Sequence, residues 1–307
     1  MTNQNTIPPV DIELIEKELN EKTFVRQANK GDNEIYIVNY HNAPNVVKEI
    51  GRLREITFTL AGGGTGKPLD LDDFDTSENC YNQLIVYDRE AKIIAGGYRF
   101  IDCSTVLNGN SDKIALSTRN YFNFSKKFIQ KYLPYTVELG RSWVHPDYQA
   151  GNSRKGLFAL DNLWDGLGAI VLNNPKMKYF FGKVTMYASY DTEARNALLY
   201  FINSYFPDIE NLVTPIHPID IDGDLSEIKD LIRNKNFNDG LKSLNQYLKQ
   251  HGESIPPLIN TYMRLSSTMK SFGTAVNPDF GGVEETGILV TVADIYEEKK
   301  ERHLTIN

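Results

Sequence analysis

Between residues 136 and 172 the sequence changes period in a way that few folds accommodate. Thr136 to Val144, Thr-Val-Glu-Leu-Gly-Arg-Ser-Trp-Val, is rich in β-branched and aromatic side chains and is closed by His145-Pro146, so it reads as a strand. A glycine-containing loop, Gln149 to Gly156, follows. Leu157, Leu160, Leu163, Trp164, Leu167 and Ile170 then recur at helical steps as far as Leu172. A strand that passes through a loop of small residues into a long amphipathic helix is a layered α/β unit. Its helix N-terminus turns backbone N–H groups and the positive end of the helix dipole toward whatever lies at the loop.

The flanking sequence supplies neighbours for that unit. Glu34 to Tyr40 alternates apolar and polar residues and reads as a strand. In Asn45 to Leu60 the positions Val46, Val47, Ile50, Leu53 and Ile56 keep helical spacing until Gly62-Gly63-Gly64 ends the pattern. Gln83 to Tyr87 and Ile93 to Ile101 are strands joined by Asp88 to Lys92, a hairpin-length link that makes them antiparallel. Phe124 to Leu133 reads as a short helix stopped by Pro134, Tyr179 to Ala188 as a strand, and Thr192 to Phe206 as a helix stopped by Pro207. Pro207 to Gly223 is a connector, with helices at Leu241 to Lys249 and Leu258 to Met269 and a last strand at Thr286 to Val292. This order predicts an α/β chain of the α+β type: a mixed, mostly antiparallel sheet with helices on both faces and extra C-terminal helices. It divides into an N-terminal extension (1–22), a core (23–206), helices and a strand completing the same domain (207–296) and a tail (297–307).

Composition narrows the function. Of 307 residues, 41% are hydrophobic and the net charge is -7, with basic residues spread rather than clustered, so a nucleic-acid footprint is excluded. Cys80 and Cys103 form no CxxC pair and build no disulfide framework, which fits a reducing compartment. Met1 to Asp11 lacks the features of a signal peptide, and no window offers eighteen uninterrupted apolar residues. The expected location is the cytoplasm, with at most peripheral contact at the inner face of the membrane. The five histidines have no ligand spacing with one another or with the cysteines, and no metal is expected. Ala61 to Pro68 imitates a phosphate loop, but Ala61 stands for its first glycine and Pro68 for its magnesium-binding hydroxyl, and a helix pattern precedes it. Ser142 lies outside any G-x-S-x-G elbow.

Four clusters place charge near strand ends or loops: Leu53 to Phe58, Asp72-Asp73-Phe74-Asp75, Gly96 to Phe100, and Glu138-Leu139-Gly140-Arg141. Glu138 and Arg141 are three apart, so a regular strand sends them to opposite faces, whereas a bulge at Gly140 changes this and frees backbone N–H groups. Freed donors beside a carboxylate suit attack of an amine on a thioester, in which an ammonium sheds a proton and an oxyanion must be held. Glu138, alone or through a water, is the candidate proton acceptor. The loop Gln149 to Gly156, with Arg154 and Lys155, suits a phosphate-bearing donor. The same residues also admit a purely structural reading, in which Arg54, Arg99 and Arg141 pair with Asp73, Asp75 and Glu138 and pin the loop to the sheet, while Phe58 and Trp143 fill the core.

With Leu53-Arg54 and Phe58, Asp73-Phe74-Asp75, Gly97-Tyr98-Arg99 and Glu138 through Tyr148 in this order, the chain resembles the hemolysin-like branch of the GNAT acyltransferase superfamily. That branch includes the acyl-carrier-protein-dependent N-acyltransferases of ornithine and glycine lipids; acyl-homoserine-lactone synthases are more distantly similar. Ile255 to Leu265 and Asn277-Pro278-Asp279-Phe280 resemble its distal motif, so the likeness spans about residues 23 to 296. Trp143 stands where the branch often has cysteine, Gln149 where it often has arginine, and Asn82-Gln83 where Asp-His is common.

The resemblance implies a long-chain, 3-hydroxylated acyl thioester donor, on acyl carrier protein or coenzyme A, and an amino-acid amine as acceptor in aminolipid synthesis. Glu138 is implied as base or ammonium holder, with Arg99 and Arg141 organising the acceptor pocket or binding an acceptor carboxylate. Arg54, Phe58, Asp73, Asp75, Ser142 and Trp143 are the remaining acceptor-side candidates. Val144, His145, Gly151, Ser153, Arg154, Lys155 and Gly156 are the candidates for the donor's phosphopantetheine. Two other readings stay open: transfer of a short acetyl group from acetyl-coenzyme A to a small amine, and a non-enzymatic protein that disrupts membranes.

Overall fold

A computed structural model describes residues 5–107, 114–149, 156–221 and 223–304. In chain order its strands are β1 (Phe24–Gln27), β2 (Glu34–Val38), β3 (Asn82–Asp88), β4 (Ile93–Asp102), β5 (Phe122–Phe124), β6 (Thr136–Val144), β7 (Tyr179–Met186), β8 (Val213–Pro215), β9 (Lys270–Asn277) and β10 (Val283–Thr291). The helices are α1 (Ile12–Glu18), α2 (Pro44–Leu60), α3 (Asp73–Thr76), α4 (Gly156–Asn173), α5 (Thr192–Tyr205), α6 (Ser226–Ile232), α7 (Phe237–Gln250), α8 (Pro257–Met263) and α9 (Glu297–His303). They fall into two compact units, one of Met1–Ser117, Pro134–Lys178 and Tyr296–Asn307, the other of Thr118–Leu133 and Tyr179–Ile295. No helix among the described residues is long and apolar enough to cross a membrane.

The first unit contains an antiparallel series β1-β2-β3-β4-β6. Its β3–β4 hairpin turns where the sequence placed it: Asp88 accepts from Ala91 N at 2.9 Å, and Lys92 takes a positive φ of 56°. Neighbouring residues of a strand face opposite ways, which sorts the layers. Leu84 of β3 packs on α4, where a Cβ at Gly166 would lie 2.7 Å from its Cδ2. Gln83 points to the other side and reaches Asp75 of α3, which in turn holds Arg54 of α2. The apolar stripe Val46, Val47 and Ile50 of α2 is fully buried. Ala43 has no polar side chain to cap that helix, and Glu18 of α1 stands in, accepting from Asn45 N (3.2 Å) and Val46 N (2.8 Å). The carboxylate thereby satisfies two orphan donors at the positive end of the dipole.

The glycine-rich run after α2 does hold an anion, but an internal one. Glu55, fully buried, accepts from Thr65 N (2.9 Å), Thr65 Oγ1 (2.7 Å) and Gly66 N (2.9 Å). Within the expected tail, α9 docks on α4. A Cβ at Gly168 would overlap the His303 carbonyl oxygen, and His303 Nδ1 lies 2.7 Å from buried Asp165, which also accepts from Asn29 N at 2.8 Å.

The second unit holds an antiparallel β7-β10-β9 series and the pair β5–β8. Phe124, Phe128, Phe181 and Phe272 meet there edge to face, with centroids 5.0 to 6.1 Å apart. Two expected helices are cut short. Phe124 closes β5 and a single π turn spans Phe128–Tyr132. α8 stops at Met263, and Ser266 Oγ then accepts from Thr268 N at 3.0 Å, a local bond that competes with helix continuation before β9 begins.

Candidate active site

All residues of the candidate site belong to the first unit. β4 and β6 pair through Ile101↔Glu138 and Arg99↔Gly140, and then through Gly97↔Trp143. Tyr98 alone therefore faces two residues of β6, Arg141 and Ser142, which is a β-bulge. The left-handed residue is Arg141 itself (φ 47°) rather than Gly140. A side chain in that conformation costs on the order of 1 kcal/mol. The turn brings Arg141 round to the face that carries Glu138 and Arg99, where its Nε lies 3.1 Å from Asp70. Glycines make the bulge possible on the facing strand as well. A Cβ at Gly96 would sit 2.7 Å from the Trp143 carbonyl oxygen, and one at Gly97 3.1 Å from the Trp143 indole nitrogen.

Glu138 is fully buried. Its Oε1 accepts from Ser117 Oγ at 2.6 Å and from the Tyr81 hydroxyl at 3.0 Å, and Ser117 N donates to that hydroxyl at 2.9 Å. Burial, and after it the Glu138 carboxylate, keeps the Tyr81 phenol protonated well above its ordinary range. Burial does the same to the neighbouring Cys103 thiol. Beside them lies an ionic network. Arg99 donates to Asp72 (2.6 Å) and Asp75 (3.0 Å), and its guanidinium covers the Tyr81 ring at 5.2 Å and the Phe74 ring at 5.7 Å. Arg54 donates to Asp70 (2.9 Å) and to both oxygens of Asp75 (3.0 and 3.3 Å), and Gln83 completes Asp75 at 2.8 Å. Burial alone would raise the Asp75 carboxyl, but the Arg54 and Arg99 guanidiniums overcome it and hold the group well below its usual range. Asp70 is held down in the same way by Arg54 and Arg141. The three aspartates neutralise the three arginines, so the desolvated charges compensate one another.

Among the sequence candidates, Glu138, Arg99, Arg141, Arg54 and Asp75 converge. Asp73 does not join the network: it is exposed in the first turn of α3, and Asp70 and Asp72 meet the arginines instead. Phe58 is buried one turn beyond Arg54 on α2, Ser142 is half-buried in the bulge, and Trp143 is buried on the sheet. Val144 and His145 are half-buried where β6 ends; His145 N donates to Ala95 O at 2.9 Å, and its Nδ1 accepts from Asp147 N at 3.2 Å. Burial lowers the His145 pKa. Gly156 opens α4, and Gly151, Ser153, Arg154 and Lys155 lie outside the described residues. Sequence reasoning missed Asp70, Gln83, Tyr81 and Ser117. Gln83 carried a faint signal as a polar residue inside an apolar strand; the other three sit in loops and turns without periodicity.

A bulged strand with a buried carboxylate, running toward the N-terminus of a long helix, defines an acyltransferase of the GNAT class, and residues 53–159 match the acetyltransferase (GNAT) domain family. Over 302 residues, 98% of its length, the chain is 50% identical to the glycine N(alpha)-acyltransferase of Phocaeicola vulgatus, covering 93% of that protein. It is equally similar to the glycine N(alpha)-acyltransferase of Bacteroides thetaiotaomicron, of which it covers 90%. The chain belongs to the family of these two proteins and is an N-acyltransferase.

Proposed function

We propose that the chain transfers a long-chain, 3-hydroxylated acyl group from a thioester of acyl carrier protein, or of coenzyme A, to the α-amine of glycine. The observation that carries the reading is the 50% identity, end to end, with two proteins named for acylation of glycine. In the reaction the ammonium loses a proton, the amine attacks the thioester carbonyl, and the thiol leaves. Glu138 takes the proton. The developing oxyanion is held at the bulge of β6, where Arg141 and Ser142 lie opposite Tyr98. Of the three arginines, Arg141 keeps the most side-chain exposure, 16% against 2% for Arg99 and 0% for Arg54, which suits it to the glycine carboxylate. The burial of Arg99 supports the organising role for that residue. Ser142 and Trp143 flank the reacting centre, Phe58 and the Asp73–Asp75 turn stand behind it, and Val144, His145 and the loop from Gly151 through Ser153, Arg154 and Lys155 to Gly156 receive the phosphopantetheine. No metal is required. Acyl carrier protein is the partner, and the work is done in the cytoplasm, at the inner face of the membrane where the product partitions.

Purified protein given 3-hydroxyacyl carrier protein and glycine should release free carrier thiol and form an acylglycine detectable by mass spectrometry. Folded protein that forms none with glycine overturns the reading. Acetyl-coenzyme A in a parallel reaction tests the short-chain alternative that the acetyltransferase description of the matching domain favours.

A further inference from the structure

Glu138, the base in the reading above, is enclosed. Its exposure is 0%, that of Tyr81 is 1%, and that of Ser117 is 7%. A buried base works at hydrogen-bond range or through one intermediary, so an acceptor amine reaches this carboxylate through a neighbour. The two hydroxyls on Glu138 Oε1 are differently committed. Tyr81 donates its proton to Glu138, accepts from Ser117 N at 2.9 Å, and lies beneath the Arg99 guanidinium. Ser117 donates its proton to Glu138 at the shorter distance of 2.6 Å, retains oxygen lone pairs as acceptors, and is the least enclosed of the three. The buried Cys103 thiol also faces this carboxylate and Asp102, and Arg99, which acts on Tyr81, is neutralised by Asp72 and Asp75.

We propose that Ser117 is the proton relay between the acceptor ammonium and Glu138, with Tyr81 as the residue that positions the carboxylate. An ammonium N–H bond breaks as its proton passes to Ser117 Oγ, and the original Ser117 O–H bond breaks as that proton passes to Glu138 Oε1. Ser117 ends as it began, the acceptor becomes a neutral amine, and Glu138 becomes the carboxylic acid. The inference rests on Glu138 acting as base, and the test separates the two.

The measurement is the pH profile of kcat for glycine acylation at saturating thioester. Ser117→Ala should lower the plateau about 100-fold at every pH, with KM for glycine changed by less than about threefold. Ser117→Thr, which keeps the hydroxyl, should recover to within about tenfold of the parent. Tyr81→Phe should move the acid limb alkaline, because a carboxylate that loses a donor ionises at higher pH, and should lower the plateau by less than about tenfold, far less than Ser117→Ala does. A Ser117→Ala protein with the parent plateau and only a displaced limb makes Ser117 a positioning donor and overturns the relay. Folded Ser117→Thr as slow as Ser117→Ala overturns it too. If Glu138→Gln turns over at the parent rate, the base itself is misassigned; if that variant is slow while Ser117→Ala is fast, the base stands and the relay alone falls.

Discussion

Replacing Asp75 by Asn tests whether the ionic network holds the first unit together. The carboxylate makes four side-chain contacts: two with Arg54, one with Arg99 and one with Gln83, at 2.8 to 3.3 Å, and it also accepts from Asp72 N at 3.1 Å. An amide keeps the shape but removes the charge and turns one acceptor into a donor facing guanidinium. Arg54 and Arg99 then retain Asp70 and Asp72 respectively, so neither is stranded entirely. Breaking a buried pair costs about 3–5 kcal/mol, and the surviving partners point to the lower end, about 3 kcal/mol. Domains of this size lose about 2–4 °C per kcal/mol, so the midpoint should fall by roughly 6–12 °C. The pH dependence follows from the sign of the shift. The folded carboxyl lies below its unfolded value, so its contribution is complete above about pH 4 and declines as pH falls toward the folded pKa. The difference between parent and variant should therefore be flat from about pH 5 to 8 and shrink below about pH 4. Urea denaturation across that range, followed by tryptophan fluorescence and circular dichroism, reads it directly. A loss under about 1 kcal/mol at neutral pH would refute the view that Asp75 is the keystone of the network.

Three further outcomes are expected. Glu138→Gln should lower kcat about 100- to 10,000-fold while thioester binding, measured by calorimetry, is retained. Gly168→Ala should lift α9, because the added Cβ overlaps the His303 carbonyl oxygen; hydrogen exchange of residues 297–303 should accelerate, with about 1–3 kcal/mol lost, and unchanged protection would argue against the docking. In the second unit Lys183 pairs with buried Glu285, which also accepts from Thr185 (2.9 Å) and Asn277 (3.0 Å). Lys183→Met alone should cost about 3–5 kcal/mol, and adding Glu285→Leu should recover most of it in a denaturation series; additive losses would show that the pair is not coupled.

The β3–β4 hairpin, the β6 strand and α4 were legible because each is a run of strand formers, or of helically spaced apolar residues, bounded by a turn residue or proline. β9 was not: Gly273 takes a positive φ of 80°, and the register against β10 shifts between Thr286 and Ile288, which blurs the alternation a strand is recognised by. β1 is only four residues long and half-exposed, too short to show a period. At the site, Glu138, Arg99 and Arg141 stood out as charged residues within strands, and Arg54 as one within the apolar pattern of α2. It did not reveal which aspartates answer them. Asp70, Asp72, Asp73 and Asp75 are equivalent as letters, and only the path of the chain into α3 turns Asp73 outward and the other three inward. Tyr81 and Ser117 were hidden for a similar reason: their role depends on where two loops end relative to β6, which local pattern does not encode.

The balance of the network bears on how Arg141 is held. Three guanidiniums in one desolvated cluster would repel one another unless each were neutralised. Here each is answered by aspartate: Arg54 by Asp70 and Asp75, Arg99 by Asp72 and Asp75, Arg141 by Asp70 and, more distantly, Asp72. The same balance gives Arg141 room to act. Its second partner, Asp72, is 36% exposed and 3.9 Å away, so in the proposed reading an incoming carboxylate displaces the weaker of the two contacts that Arg141 makes with aspartate. Asp72→Asn should then leave Arg141 less neutralised and lower KM for an acidic acceptor group, whereas Asp70→Asn should act mainly on folding, because that aspartate is buried between two guanidiniums.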